Sequence, residues 1–291
     1  MANIYDIKQN GFTIRCADFD SFIDQYHFIK DFIKEDRFGT VKEVSKKDDF
    51  YGLHSLRNTI DGMSYGFQEA TDYFLDVIAD IKSSKDASNG IYMDYQGYAY
   101  DMGSVVNGVP ECCVNSGTPT PTPCIKIMVD ITFSWSYSQK EIYNRGVAIT
   151  NLINTLLING FIVDLCVVEL NHQHDMDVLY TVKIDTNTLS IANIAFMCSP
   201  EYFRKIGFIT VDCIRNKESN DGRGMSLIYD FMLKKIQKEK IFFIGGSYNN
   251  KDFCNYLNNI EETNDYILKM FKKYCEENEI ELTIEDIKDI D

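Results

Sequence analysis

Three oxygen-bearing side chains alternate with other residues at Asp130, Thr132 and Ser134. They end the apolar run of residues 124–131, which is typical of a strand covered on both faces. Alternate residues of a strand point the same way, so this spacing places the three oxygens on one face. Hard cations such as Mg²⁺ prefer oxygen ligands. The pattern therefore indicates a Mg²⁺ site, or alternatively a strand end whose polar groups only cap nearby backbone.

The same residues resemble the metal-dependent adhesion motif DxSxS of the von Willebrand factor A-type fold. The resemblance implies that Asp130, Thr132 and Ser134 hold Mg²⁺ directly or through water, with Thr132 standing where that motif has Ser. It also implies an α/β fold with its ligand site at the carboxyl end of a parallel strand. The downstream order of strand, helix, strand and antiparallel edge strand resembles that fold as well.

A second polar cluster contains His172 and His174, with Asp175 and Asp177 close behind them. Imidazole and carboxylate groups at alternate positions of a strand could ligate Zn²⁺ or another transition metal. The alternative is a polar hairpin loop between a strand ending near residue 170 and one beginning near residue 178. No third and fourth ligands are identified for this site.

Catalytic motifs are absent from the sequence. The glycine pairs at 222–224 and 245–246 match neither GxGxxG nor GxxxxGK[ST], and they are interpreted as turns. No GxSxG is present, and the four histidines give no recognisable pairing. We therefore expect no catalytic residues.

Composition excludes several classes of protein. The formal net charge of -15 disfavours binding to a phosphate backbone. No apolar run reaches the roughly 18 residues of a membrane span, and nothing at the N-terminus has the form of a signal peptide. The nine cysteines include no CxxC pair, which indicates buried thiols in a reducing compartment. We expect a soluble intracellular protein.

The elements that must position these residues alternate along the second half of the chain. The helical spacing of residues 139–159 and the β-branched run of residues 161–170 predict a βαβ unit with the strand at 124–131. Beyond it, the patterns predict an antiparallel edge strand at 178–184, strands at 191–197 and 241–244, and helices at 201–212, 225–237 and 253–274. This alternation predicts an α/β three-layer sandwich with a mostly parallel sheet.

The first half of the chain is predicted as an α+β region. It contains a strand at 11–16, a helix at 22–33 capped by Asp20 or Ser21, and a helix at 67–81. A segment rich in Pro and Thr at 115–123 cannot join a helix or a central strand. The predicted division is therefore an N-terminal region of residues 1–114, a linker of residues 115–123 and a sandwich domain of residues 124–291.

Four phrases, at residues 50–66, 109–113, 144–166 and 199–208, together resemble a protein family of unknown function encoded mainly by tailed bacteriophages. Tyr65 stands where that family usually has Trp, Cys113 where it has Met, and Ser199 where it has His. The resemblance implies a phage gene product made in the host bacterial cytoplasm, either incorporated in the virion or acting on a host process. It implies no particular activity.

The resemblance is carried most strongly by Glu111, Arg145, Gly146, Pro200 and Arg204, which are the candidate functional or structural residues. Arg145 is expected either to bind an anion or to pair with an acid such as Glu111 and lock the two halves together. We expect a non-catalytic protein that acts by binding a phage or host protein. The alternative is a metal-dependent enzyme or metal-gated binder using the Asp130 motif. The oligomeric state stays open.

Overall fold

A computed structural model describes residues 2–9, 12–36, 39–47, 51–52, 54–68, 71–72, 74–76, 92–94, 99–100, 113–115, 124–133, 136–158, 161–171, 176–184, 191–216, 230–246 and 255–280. Strands β1 to β9 span Asn3–Gln9, Phe12–Phe19, Tyr92–Asp94, Ala99–Tyr100, Cys113–Asn115, Cys124–Asp130, Ile162–Asn171, Asp177–Ile184 and Ile241–Ile244. Helices α1 to α8 span Phe22–Glu35, Thr40–Val44, Leu56–Tyr65, Gln139–Ile158, Ile191–Met197, Phe208–Arg215, Asp230–Lys238 and Ile260–Glu277. A π-helix covers Tyr202–Gly207.

Six strands form the main sheet, in the order β1-β2-β8-β7-β6-β9. The pairs β2–β8, β7–β6 and β6–β9 are parallel, whereas β1–β2 and β8–β7 are antiparallel. Strand β6 lies in the interior of the sheet, and α4 connects it to its parallel neighbour β7. The chain therefore has an α/β fold with a mostly parallel sheet, as predicted. Strands β3, β4 and β5 form a separate small sheet.

Local sequence signals explain the helix that follows β6. The Ser138 hydroxyl accepts a hydrogen bond from the Glu141 N–H, and the Glu141 carboxylate accepts one from the Ser138 N–H. This reciprocal capping box satisfies donors that the first helical turn would otherwise leave unpaired. The helix then buries Val147, Leu152 and Leu156 in the core. Its orientation fixes which side chains face the end of β6.

The sheet has apolar side chains on both faces. Ile125, Ile127 and Val129 of β6 join the larger core cluster, to which α1, α4 and α8 also contribute. Met128, on the opposite face of β6, clusters with Met232 of α7. This alternation is the expected pattern of a strand buried on both sides.

Two sequence predictions are wrong. The predicted edge strand at 178–184 is β8, which lies between β2 and β7. Its second partner comes from the other end of the chain, which no local pattern reveals. The predicted strand at 191–197 is helix α5. Residues 194–197 of this short run are buried in succession, and such a run has no clear periodicity to separate a helix from a strand.

Other predictions hold with shifted limits. Ser21 caps α1 by accepting a hydrogen bond from the Asp24 N–H at 3.1 Å. The helix predicted from residue 253 begins at Ile260, because the Asn259 side chain caps it there. The helix at 201–212 is present, with its first part wound as the π-helix. Residues 225–229 of another predicted helix lie outside the described residues, and α7 covers the rest.

Strands β1 and β2 of the N-terminal segment lie in the same sheet as the strands of the C-terminal segment. Strand β2 pairs in parallel with β8, from Ile14 opposite Asp177 to Phe19 opposite Val182. Residues 116–123 of the predicted linker lie outside the described residues. The division into two domains stays a prediction, and the sheet itself is built from both segments.

Candidate functional site

The carboxyl end of β6 holds a buried carboxylate. The Asp130 Oδ1 atom accepts a hydrogen bond from the Thr132 N–H at 2.9 Å, and its Oδ2 atom accepts one from the Gly246 N–H at 3.1 Å. A Cβ atom at Gly246 would lie 2.4 Å from the Thr132 carbonyl oxygen. Only glycine therefore lets the segment after β9 approach the segment after β6 this closely. Asp130 joins the two strand ends.

Arg145, in the second turn of α4, reaches the same strand ends. Its Nη2 atom donates to the carbonyl oxygen of Asp130 at 2.7 Å, and to those of Ile244 and Gly245 at 3.1 and 3.0 Å. Its guanidinium carbon lies 5.0 Å from the centroid of the Phe133 ring. The observed contacts are with backbone carbonyls, and Glu111, the expected acidic partner, lies outside the described residues. Arg145 thus places a positive charge beside Asp130.

The structure describes part of the predicted metal site. Thr132 is buried beside Asp130, and its Oγ1 atom has no hydrogen-bond partner among the residues that the structure describes. Ser134, His172 and His174 lie outside the described residues. In the part of the chain that is described, no three His, Cys, Asp or Glu side chains are grouped as metal ligands would be. The Mg²⁺ and Zn²⁺ sites stay predictions.

The other candidate residues pack close to this strand end. A Cβ atom on Gly146 would lie 2.5 Å from the Cys198 Cβ atom, so glycine lets α4 approach the segment after α5. Pro200 is buried in that segment. Fully buried Arg204 donates to the Tyr137 carbonyl oxygen at 3.3 Å. The Tyr137 ring contacts Phe133, the ring beneath Arg145, with centroids 5.8 Å apart. These contacts give the candidate residues a shared structural role.

Glu169 was not singled out from the sequence, although it is a buried carboxyl group with a raised pKa. It lies fully buried on β7, and its Oε2 atom accepts a hydrogen bond from the Tyr180 hydroxyl at 2.6 Å. Burial raises the pKa of Glu169 to about 8; the Tyr180 hydrogen bond opposes the rise, and the charges of Asp130 and Asp212 add to it. A lone Glu within the apolar run 167–170 was the available sequence signal.

The π-helix packs directly against this carboxyl group. A Cβ atom on Gly207 would lie 2.3 Å from the Glu169 Oε2 atom and 3.1 Å from the Tyr180 hydroxyl oxygen. Lys205, also in the π-helix, is buried and donates through Nζ to the carbonyl oxygens of Lys46 and His54 at 2.8 and 2.9 Å. Its ammonium group anchors two loops of the N-terminal segment to the core.

Tyr65 differs from all of these residues because it is on the surface. It ends α3 and is 82% exposed, the highest value among the exposed large hydrophobic residues of the described chain. The helix ends at Gly66, whose φ of +70° suits glycine and whose N–H donates to the Gly62 carbonyl at 2.8 Å. A Cβ atom at Gly66 would lie 2.4 Å from the Ala192 carbonyl oxygen of α5. The end of α3 is therefore fixed against α5.

Comparison with known proteins places the chain in a family. The model of a family described as a domain of unknown function (DUF7192) matches residues 9–279. The chain belongs to this family. The match begins at the end of β1 and extends past the end of α8, so it includes both the N-terminal hairpin strand β2 and the sheet strands that follow the proline-rich segment.

No curated protein and no solved structure shows a significant match to the chain. Among the residues that the structure describes, no helix has the length and apolar character needed to span a bilayer.

Proposed function

We propose that this chain is a non-catalytic protein of bacteriophage origin that binds another protein through a surface centred on Tyr65. The observation that carries the proposal is the 82% exposure of this ring. Tyrosine offers a large apolar face with a polar tip. It is enriched among the residues that contribute most of the binding energy at protein interfaces. The resemblance to the phage family also places an aromatic residue here, at a position where core packing does not require one.

The contacts that hold α3 in place favour a role for Tyr65 in binding a partner over an exposure without function. The Ser55 hydroxyl caps the start of α3 by accepting from the Asn58 N–H at 3.1 Å. Gly62 lies so close to the Phe67 and Phe196 rings that a Cβ atom would come within 2.8 Å of both. A helix held at both ends presents its last residue in a fixed place, so binding orders little further structure.

The acidic character of the chain and its expected phage origin indicate what kind of partner it binds and where. With a net charge of -15, the protein suits a protein partner better than a nucleic acid. We propose that it acts in the cytoplasm of the infected bacterium or as a component of the virion. The strand order β6, α4, β7 and antiparallel β8 also supports an architecture like the von Willebrand A type, from which it departs because β8 is not an edge strand.

A second candidate function is metal-dependent binding or catalysis at Asp130, Thr132 and Ser134. The buried Thr132 Oγ1 atom, which has no hydrogen-bond partner within the described part of the chain, favours it. Against it, both Asp130 oxygens accept backbone N–H groups, and Arg145 lies where it would repel a cation. The protein-binding function is therefore the better supported of the two.

The experiment replaces Tyr65 with a photoreactive benzoylphenylalanine and irradiates host bacteria that make the protein. We expect one discrete cross-linked species at this position and none with the same substitution at Ile162, which is 51% exposed on the sheet. Tyr65→Trp should keep co-purification of that species and Tyr65→Lys should abolish it. Turnover of nucleotide, nucleic acid or peptide by the purified protein, lost in Asp130→Asn, would overturn the proposal and support the metal-dependent alternative.

A further inference from the structure

Strand β1 forms one edge of the six-stranded sheet. Within the described part of the chain it pairs with β2 and with no other strand. Its outer side therefore offers a row of backbone N–H and C=O groups for pairing. Ile4 and Tyr5 of this strand are 45% and 40% exposed. An accessible edge with exposed apolar side chains is a template for another strand.

We propose that two copies of this chain pair through β1, antiparallel and about a two-fold axis at Ile7, to join their sheets into one. The partner is a second copy because the charges of β1 complement those of the same strand running the other way. This pairing is independent of the binding surface at Tyr65, which lies on α3.

Backbone geometry limits the registers that such a pair can adopt. In an antiparallel pair, residues directly opposite each other point their backbone groups either both toward or both away from the partner. Because this direction alternates along a strand, a self-paired strand must place one residue opposite its own copy. The three central residues of β1 are Tyr5, Asp6 and Ile7, and each defines one register.

Charge selects among the three registers. Centring on Asp6 would set two carboxylates opposite each other, which is destabilising. Centring on Tyr5 would set Ile4 opposite Asp6, an apolar residue against a charge. Centring on Ile7 sets Asp6 opposite Lys8 of the second copy, twice by symmetry, and sets Ile7 opposite Ile7. This is the one central register with opposite charges paired.

The contacts already present in the sheet extend into this register. Asp6 lies opposite Arg15 of β2 and binds it, with Arg15 Nε to Asp6 Oδ1 at 2.9 Å. Lys8 of the second copy would flank the same carboxylate on its other side. On the opposite face, Ile7 lies beside the fully buried Ile14. Across the two-fold axis, four isoleucines would therefore form a continuous apolar row on one face of the joined sheet. The charged side chains would form a second row on the other face.

The test measures self-association of the full chain by sedimentation equilibrium at low salt. The wild type should form a dimer at micromolar concentrations. Lys8→Glu, which sets a second carboxylate opposite Asp6, should weaken the dimer by about tenfold or more, because two attractive pairs become repulsive. Asp6→Lys should weaken it similarly by setting two lysines together. Lys34→Glu, on the exposed side of α1, is the matched control and should leave the dimer unchanged.

Mixing the two variants gives the decisive measurement. In a heterodimer of Asp6→Lys with Lys8→Glu, each facing pair again joins a positive and a negative side chain. Association should therefore return to within about threefold of the wild type. Circular dichroism of each variant confirms that its fold is intact. A wild type that stays monomeric at about 200 μM would overturn the proposal. So would a dimer indifferent to Lys8→Glu, or a mixture that fails to recover.

Discussion

The two buried carboxyl groups Asp130 and Glu169 lie on neighbouring strands, yet their oxygens differ in hydrogen bonding. Asp130 accepts backbone N–H groups on both oxygens and lies beside the Arg145 guanidinium. Among the residues that the structure describes, Glu169 has one hydrogen-bond donor, Tyr180, and its second oxygen has no partner. Burial therefore favours its protonated form, and the core holds a neutral acid near neutral pH.

The first prediction concerns Glu169→Gln, which imitates the protonated acid. Because the pKa of Glu169 is raised from 4.5 to about 8 in the folded protein, the folded state holds a proton that the unfolded state releases between these values. This contribution to the free energy of unfolding is fully present below pH 4.5 and is lost as the pH rises to about 8, at about 1.4 kcal/mol per pH unit. Glutamine does not titrate, so the free energy of unfolding of the variant should increase relative to that of the wild type as the pH rises.

Urea unfolding of both proteins at pH 5, 6, 7 and 8 measures the effect, and the difference between the two curves isolates this one group. Tyr180→Phe serves as a companion, because it removes the hydrogen bond and leaves the carboxyl group in place. A difference that stays constant across this range would show that Glu169 titrates near its ordinary pKa.

At the level of elements, glycines decide how closely the helices dock. Gly66 and Gly39 share a φ of +70°, which other residues adopt only with strain. They differ in surroundings, since a Cβ atom at Gly66 would meet the Ala192 carbonyl oxygen at 2.4 Å, whereas one at Gly39 would meet nothing within 4 Å. The contact between α3 and α5 therefore depends on Gly66 alone of this pair.

The second prediction compares Gly66→Ala with Gly39→Ala. Gly39 has a ψ of 2°, in the left-handed helical region, whereas Gly66 has a ψ of -172°, which is nearly restricted to glycine. Gly66→Ala therefore adds backbone strain to its clash with α5. We expect Gly66→Ala to reduce the free energy of unfolding by about 1–3 kcal/mol more than Gly39→Ala does, which is the usual cost of overpacking. Urea denaturation gives both values. Equal losses would show that α3 and α5 can separate without cost, and that the end of α3 does not hold Tyr65 in place.

The elements that the sequence predicted correctly are those with local signals. The apolar run before Asp130 and the helical spacing of residues 139–159 define β6 and α4 within a few residues, and Arg145 was identified with them. Helix α5 was missed because its short apolar run shows no clear periodicity, and the interior position of β8 depends on distant β2. Similarly, the exposure of Tyr65 follows from how α3 docks, and the sequence alone shows only an aromatic residue.

At the scale of the whole molecule, the main sheet takes β1 and β2 from the start of the chain and β6 to β9 from the rest. Polar as well as apolar contacts connect the N-terminal segment to the rest of the chain. Gln25 of α1 donates to the Thr210 hydroxyl at 2.9 Å, and Lys205 binds carbonyls of the N-terminal segment. These contacts favour one cooperative unit over two separate domains.

The third prediction follows for global unfolding. Amide protons of β2 and β6 should lose protection from exchange at the same urea concentration. Native-state hydrogen exchange at increasing urea measures both strands in one experiment. Earlier loss of protection in β2 would instead support a division into residues 1–114 and 124–291.

The pairing of β2 with β8 also constrains how a cell can make this protein. Asp18 and its hydrogen-bond partner Thr181 are separated by 163 residues. At translation rates of about 5–20 residues per second, the N-terminal hairpin leaves the ribosome roughly 8–30 s before its neighbouring strand has been synthesised. During that interval its apolar faces stay uncovered, so nascent chains are the form most in need of a chaperone. A chain released from a ribosome stalled before residue 177 would lack β8, the strand that lies between β2 and β7.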